Sequence, residues 1–181
     1  MEYVQPIKDH KTICLLKRTL KKQSYRDYLL FVFAINTGMR ISELLHVQWE
    51  EVLEKDGTIS LFLPAEKESI YLNERIRRTL IKYKKSHQSG ESPYLFPSLR
   101  SGTPITRQQA YRIMNNAAKK VGIVEKIGPH TLRKTFGYHA YIQGIAIALI
   151  QKRFHHSTPS ETLKYIGVIP GEIQSKINVN L

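Results

Sequence analysis

A single cysteine, Cys14, stands in the 181 residues. No disulfide can form within the chain, and a reducing, cytoplasmic setting is the expected one. Cys14 lies among Ile13, Leu15 and Leu16, which marks it as a small core residue rather than a reactive thiol. Long hydrophobic runs are also missing. The longest, Tyr28 to Ile35, falls far short of the roughly 20 apolar residues that cross a bilayer. Met1, Glu2 and Tyr3 lead straight into polar sequence, so no signal peptide is read, and no lipidation motif or cationic amphipathic helix points to a membrane. Repeats, low-complexity tracts and long linkers are absent, and one domain over residues 1–181 is expected. Acidic residues are scarce: 15 against 28 Lys and Arg, a net charge of +13. Such a surplus raises a positive field that favours polyanions, DNA above all.

What is present reads as mostly helical. His10 to Lys22 has the pattern of a basic helix. Ser24 is an N-cap for a second helix ending at Gly38, apolar on most sides and therefore central to the core. Ile41 to His46 restarts a helix. Thr58–Leu63 and Ser69–Leu72 read as two strands of a small hairpin joined by residues 64–68. Helical spacing returns over Asn73–Ser86, and Ser89–Pro104 is loop. Thr106 and Gln109 form a capping box opening a helix to about Lys120. Further helices follow over His130–Gln143 and Ile145–Arg153. A last short helix starts at Thr158-Pro159-Ser160-Glu161 and stops at Gly167. The expected fold class is mainly α with a small antiparallel β-sheet.

Breaking a phosphodiester without a metal requires fixed cations around the phosphorus, an in-line nucleophile, and an acid for the departing oxygen. Arg suits the clamp because its planar fork meets two phosphate oxygens and keeps its charge. Arg40 follows a Thr37-Gly38-Met39 turn, with Glu43 on the same helical face. His130 and Arg133, also three apart, share a face. His155-His156 comes after the next helix, and Tyr165 stands nine residues beyond His156. A metal enzyme built on His130, His139, His155 and His156 is disfavoured: Cys ligands and a His-Glu-x-x-His spacing are absent. Tyr111, Tyr138 and Tyr141 are read as packing residues.

The order of these motifs carries a resemblance. Thr37-Gly38-Met39-Arg40-Ile41-Ser42-Glu43-Leu44 resembles the first arginine motif of the tyrosine recombinases, the phage integrase family. His130-Thr131-Leu132-Arg133-Lys134-Thr135-Phe136 is similar to that family's His-x-x-Arg motif. The run from His156 to Tyr165 resembles its closing segment. Together they span about 130 residues, Thr37 to Ile166. The resemblance implies that Tyr165 attacks the scissile phosphate to give a 3′-phosphotyrosyl bond and a free 5′-hydroxyl. Arg40 and Arg133 would clamp the phosphate, His156 would add a hydrogen bond, and His130 would assist proton transfer, with Glu43 buttressing Arg40. The family's hairpin-turn lysine matches Lys67, flanked here by Glu66 and Glu68. Many relatives have Gly where His155 stands, and the nine-residue interval to Tyr165 favours His156 for the phosphate.

No cofactor is implied, neither ATP nor metal. The implied partners are double-stranded DNA and further copies of the chain: a homo-tetramer on paired sites, a monomer without DNA. The tail Ile169–Leu181 would dock on a neighbour or on its own core. The family's N-terminal core-binding domain finds too few residues here, about 36 ahead of the first motif. A type IB topoisomerase-like enzyme and a catalytically dead DNA-binding module are the alternatives. Backbone contacts are expected from the basic residues between Arg75 and Lys85 and from Arg107, Arg112, Lys119, Lys120, Lys134 and Lys152. Affinity for duplex DNA, measured by fluorescence anisotropy, is expected to fall steeply with added salt. A flat response would mean that the positive surplus only solvates the surface.

Overall fold

The computed structural model describes residues 4–65, 68–86 and 92–168. Helix α1 (His10–Gln23) is capped by Asp9, whose carboxylate accepts from the Lys11 and Thr12 amides. Its buried positions, Ile13, Leu16 and Leu20, recur at helical spacing and face the next helix. Cys14 departs from its expectation. It is exposed, because one residue along a helix turns by about 100° and carries it off the face of Ile13.

Helix α2 (Tyr25–Thr37) is buried on every side from Tyr28 to Ala34 and packs on α1, α5 and α7. Ser24 caps it, and Gly38 ends it in the left-handed region at φ 64°. A side chain at Gly38 would run into the Phe136 ring, so glycine is required there both by backbone and by space. The short α3 (Ile41–Leu45) follows at once.

Helix α4 (Trp49–Val52) has no counterpart in the sequence reading. Glu51 accepts from the Gln48 amide at 2.7 Å, and Trp49 stacks on Tyr83 at 5.6 Å. The hairpin is shorter than expected. Strands β1 (Phe62–Leu63) and β2 (Ile70–Tyr71) pair antiparallel, Phe62 with Tyr71 and Leu63 with Ile70. Leu63 and Ile70 point into the core, while Phe62 and Tyr71 lie outside with their rings tilted against each other, 5.6 Å apart.

Five helices follow among the described residues: α5 (Glu74–Ser86), α6 (Arg107–Lys120), α7 (Pro129–Ile142), α8 (Ile147–Phe154) and α9 (Pro159–Ile166). Thr106 and Gln109 cap α6 reciprocally, at 3.1 and 2.7 Å. Thr158 caps α9 by accepting from the Glu161 amide, with Pro159 at the first helical position. The fold is thus mainly helical with one two-stranded antiparallel sheet among the described residues. None of their helices is long and apolar enough to cross a membrane.

The main core lies between α1, α2, α5 and α6, and a smaller cluster, Ile150, Phe154 and Ile166, joins α7, α8 and α9. Tyr138 and Tyr141 pack against the smaller cluster, and Tyr111 lies against Gly128 while remaining 37% exposed. Gly137 lets α7 approach both partners: a Cβ there would stand 2.5 Å from Ile166 Cγ2 and 2.7 Å from Phe154. Gly137→Ala gains about 1 kcal/mol of helix propensity. Overpacking costs about 1–3 kcal/mol, and the closeness of three ring and methyl atoms places it at the upper end. A net loss of roughly 1–2 kcal/mol is expected in urea unfolding.

Candidate active site

Two loops and three helix ends converge at one edge of the molecule. Arg40 sits between Gly38 and α3, exposed, with its guanidinium 3.1 Å from Glu43. Glu43 also accepts from the Arg40 amide at 3.3 Å. One carboxylate therefore holds both the backbone and the head of Arg40, which fixes the side chain more than a plain surface pair would.

Arg133, one turn into α7, is buried to 8% exposure. Its Nη1 donates to the Gly38 carbonyl at 2.7 Å, and Nη2 donates to the carbonyls of Phe154 (3.2 Å) and Arg153 (3.4 Å). The guanidinium lies over the Phe154 ring at 4.5 Å. Three of its N–H groups at most are used, out of five, so donors remain for an anion. Arg40 and Arg133 both line an open cleft of about 400 Å³, together with Glu43, Lys152, Arg153 and His155.

Tyr165 projects from α9, half-buried. Its hydroxyl is 3.2 Å from His130 Nδ1, and its ring meets His156 at 4.9 Å and Phe154 at 5.4 Å. Burial pushes the phenol's pKa up, while the charges of Arg133 and Arg40 pull it down. The phenol is therefore within electrostatic reach of both guanidinium groups, yet stays protonated at neutral pH. His130 is held below the ordinary histidine range by burial, then by the cations of Lys134, Arg107 and Arg133. It is neutral near pH 7, and in the tautomer carrying its proton on Nε2 its Nδ1 accepts the phenol hydrogen. A neutral imidazole beside a protonated phenol is the pairing that proton abstraction needs.

The two adjacent histidines take different places. His155 ends α8 in the left-handed region at φ 57°, the only non-glycine there among the described residues. That backbone turn explains why glycine suits the position. His155 faces the cleft, whereas His156 turns back under Phe154 and against Tyr165. His156 Nδ1 is 3.1 Å from the hydroxyl of Thr162, a fully buried threonine that the sequence reading missed. Nε2 is then the nitrogen that can face an anion. Burial lowers the His156 pKa, opposed by Glu161 and reinforced by Arg133 and His155.

Lys67 lies outside the described residues, as does the tail Ile169–Leu181. Glu68, beside Lys67 in sequence, pairs with Lys152 at 3.3 Å. Lys134 is not placed for a DNA contact. It is 6% exposed and turned inward, 5.2 Å over the Tyr165 ring. Among the described residues no group of three or more His, Cys, Asp or Glu is arranged to hold a metal ion. The different burial of the two arginines has a measurable consequence. Arg133→Ala strands the Gly38 and Phe154 carbonyls and is expected to cost about 1–3 kcal/mol in denaturant unfolding. Arg40→Ala, at a half-exposed ion pair, is expected to cost under about 1 kcal/mol.

Comparison with known proteins identifies the family and the fold. Residues 8–170 match the phage integrase family. The probable integrase/recombinase YoeC of Bacillus subtilis is 42% identical over 169 residues, covering 93% of this chain and 92% of that protein. Tyrosine recombinase XerC of Thermodesulfovibrio yellowstonii is 34% identical over 153 residues, 79% of this chain but 50% of that protein. The chain thus spans nearly all of the first relative and half of the second. Among solved structures, XerA recombinase superposes with a TM-score of 0.75 at 24% identity, over 92% of this chain and 60% of that one. A lambda integrase dimer bound to a COC′ core site gives 0.69 at 18% identity, over 99% and 65%. The chain belongs to the phage integrase family, and it folds as the catalytic domain of a tyrosine recombinase, the class of enzyme that breaks and rejoins DNA strands.

Proposed function

We propose that this chain is a site-specific recombinase in which Tyr165 is the nucleophile on DNA. The observation that carries the reading is the 3.2 Å contact between the Tyr165 hydroxyl and His130 Nδ1, made where the charges of Arg40 and Arg133 both reach the phenol. In the proposed step the Tyr165 oxygen attacks phosphorus as its proton passes to His130. The bond from phosphorus to the 5′ oxygen breaks, leaving a 3′-phosphotyrosyl link and a 5′-hydroxyl once that oxygen has taken a proton. Lys67 is the donor suggested by the family resemblance. Arg40 and Arg133 neutralise the non-bridging oxygens, where charge grows. His156 adds a hydrogen bond through Nε2. Attack by another strand's 5′-hydroxyl reverses the chemistry, and because the covalent link conserves the bond's energy, the exchange draws on no nucleotide.

Double-stranded DNA as substrate fits the net charge of +13 and the neighbours solved on DNA, such as the lambda integrase dimer on its core site. Assembly as a tetramer on paired sites, from monomers free of DNA, and action in the cytoplasm complete the proposal. A suicide substrate, nicked so that the released fragment diffuses away, tests it. Wild type is expected to accumulate a covalent protein–DNA adduct and Tyr165→Phe none. Adduct that persists in Tyr165→Phe would move the nucleophile to another residue.

A further inference from the structure

The segment ahead of α1 is laid along α7 and reaches the helix that carries Tyr165. The Ile7 amide donates to Thr135 Oγ1 at 2.9 Å, and the Ile7 carbonyl lies 2.9 Å from His139 Nε2. Those two side chains are four residues apart and occupy one face of α7. The Lys8 ammonium stands over the Tyr138 ring at 4.7 Å. Pro6 is buried, and with Gln5 it closes on Gly167, the left-handed residue ending α9. A Cβ on Gly167 would meet Gln5 Oε1 at 3.1 Å and Pro6 Cδ at 3.2 Å.

Lys134 makes the connecting tie. Its Nζ donates to the Val4 carbonyl at 2.8 Å, and the same ammonium stands 5.2 Å from the centroid of the Tyr165 ring. Burying an ammonium to 6% exposure sacrifices hydration, which a surface contact with DNA would not require. Its charge is instead spent inside the protein, on a carbonyl of the segment and on the face of the phenol.

We propose that Val4–Lys8 is a strap that sets the position of the nucleophile, with Lys134 as the positioning residue that links the strap to Tyr165. The proposal rests on Tyr165 being the nucleophile. Displacing the strap withdraws the ammonium from the ring and frees the end of α9, so cleavage is coupled to a segment at the opposite end of the described chain. Lys134 also faces His130, together with Arg133 on the same helix, Arg107 from α6 and Tyr165 from α9. Removing the Lys134 charge lets His130 hold its proton to higher pH. The imidazole then becomes available as a base only at higher pH, and the acid limb of the cleavage profile moves up.

The test measures the rate of adduct formation on the suicide substrate against pH, at saturating protein, for full-length wild type, Lys134→Met, Lys134→Arg and Thr135→Val. Wild type is the control for the underlying reading: if it forms no adduct through Tyr165, the nucleophile assignment fails rather than the strap. Lys134→Met is expected to slow cleavage roughly tenfold or more while duplex binding stays within about twofold, with the acid limb shifted to higher pH. Lys134→Arg is expected to restore most of the rate and the original limb. Thr135→Val cuts one of the strap's bonds to α7 without touching Tyr165, and is expected to slow cleavage in the same direction. A folded Lys134→Met that cleaves at the wild-type rate with an unmoved limb overturns the proposal, as does a loss that Lys134→Arg does not recover. Should Lys134→Met fail to fold, wild-type cleavage by Thr135→Val overturns it on its own.

Discussion

A buried guanidinium is costly to take out of water, and it persists only where carbonyls and a ring replace its hydration. Arg133 meets that condition by drawing three parts of the chain onto itself: its own helix α7, the Gly38 carbonyl 95 residues away, and the Phe154 carbonyl 21 residues away. Gly38 is the left-handed stop of α2, and Arg40 stands two residues beyond it. Phe154 is the last residue of α8, and His156 stands two residues beyond that. The hydrogen bonds that compensate the buried charge therefore also set where the other cation and the second imidazole lie. A side chain assigned to the phosphate by sequence alone turns out to hold the site together before any phosphate arrives.

The phenol is governed by opposing effects. Burial among Phe154, His156 and the small core under α7 favours the neutral hydroxyl, while two guanidinium charges favour the phenolate. Burial prevails at rest, which keeps the phenol protonated. Burial, reinforced by the charges of Lys134, Arg107 and Arg133, keeps His130 neutral and able to accept the proton. A negative phosphate entering the cleft would offset part of the arginine charge felt by the phenol. In the proposed reaction the cations would then matter most for the charge that grows on the phosphoryl oxygens, where preorganised donors stabilise a transition state most strongly.

Helix boundaries were legible wherever a cap has its own chemistry. Ser24, the Thr106 and Gln109 pair, and Thr158 with Pro159 mark starts that the structure reproduces within a residue or so. Gly38 and Gly167 mark stops for the same reason. Elements held by tertiary contact were harder to read. Helix α4 is a single turn stabilised by Trp49 against Tyr83, a partner more than thirty positions on. The hairpin is a two-residue ladder, Leu63 and Ile70 facing the core, and nothing local in the sequence limits it to that length. Cys14 was misread because an apolar neighbourhood in sequence spans different faces of a helix. Lys134 was misread because charge implies surface only when nothing inside compensates it, and its compensating carbonyl belongs to Val4, 130 residues distant. The candidate site residues were legible as a set through their spacing and order. Their partners Thr162 and Lys134 stand inside those motif runs, but their roles were not legible, since each acts through a tertiary contact that spacing does not show.

The central proposal is convergence: Arg40, Arg133, His130, His156 and Tyr165 would meet around one phosphate. The most direct measurement is a crystal structure of the protein with vanadate and DNA strands ending at the cleavage position, since vanadate adopts the five-coordinate geometry of phosphoryl transfer. The expected result is vanadium bonded to the Tyr165 oxygen, with both guanidinium groups and His156 Nε2 at hydrogen-bond distance from its equatorial oxygens. Vanadate bound elsewhere, or bound to Tyr165 with either arginine out of reach, would contradict the account.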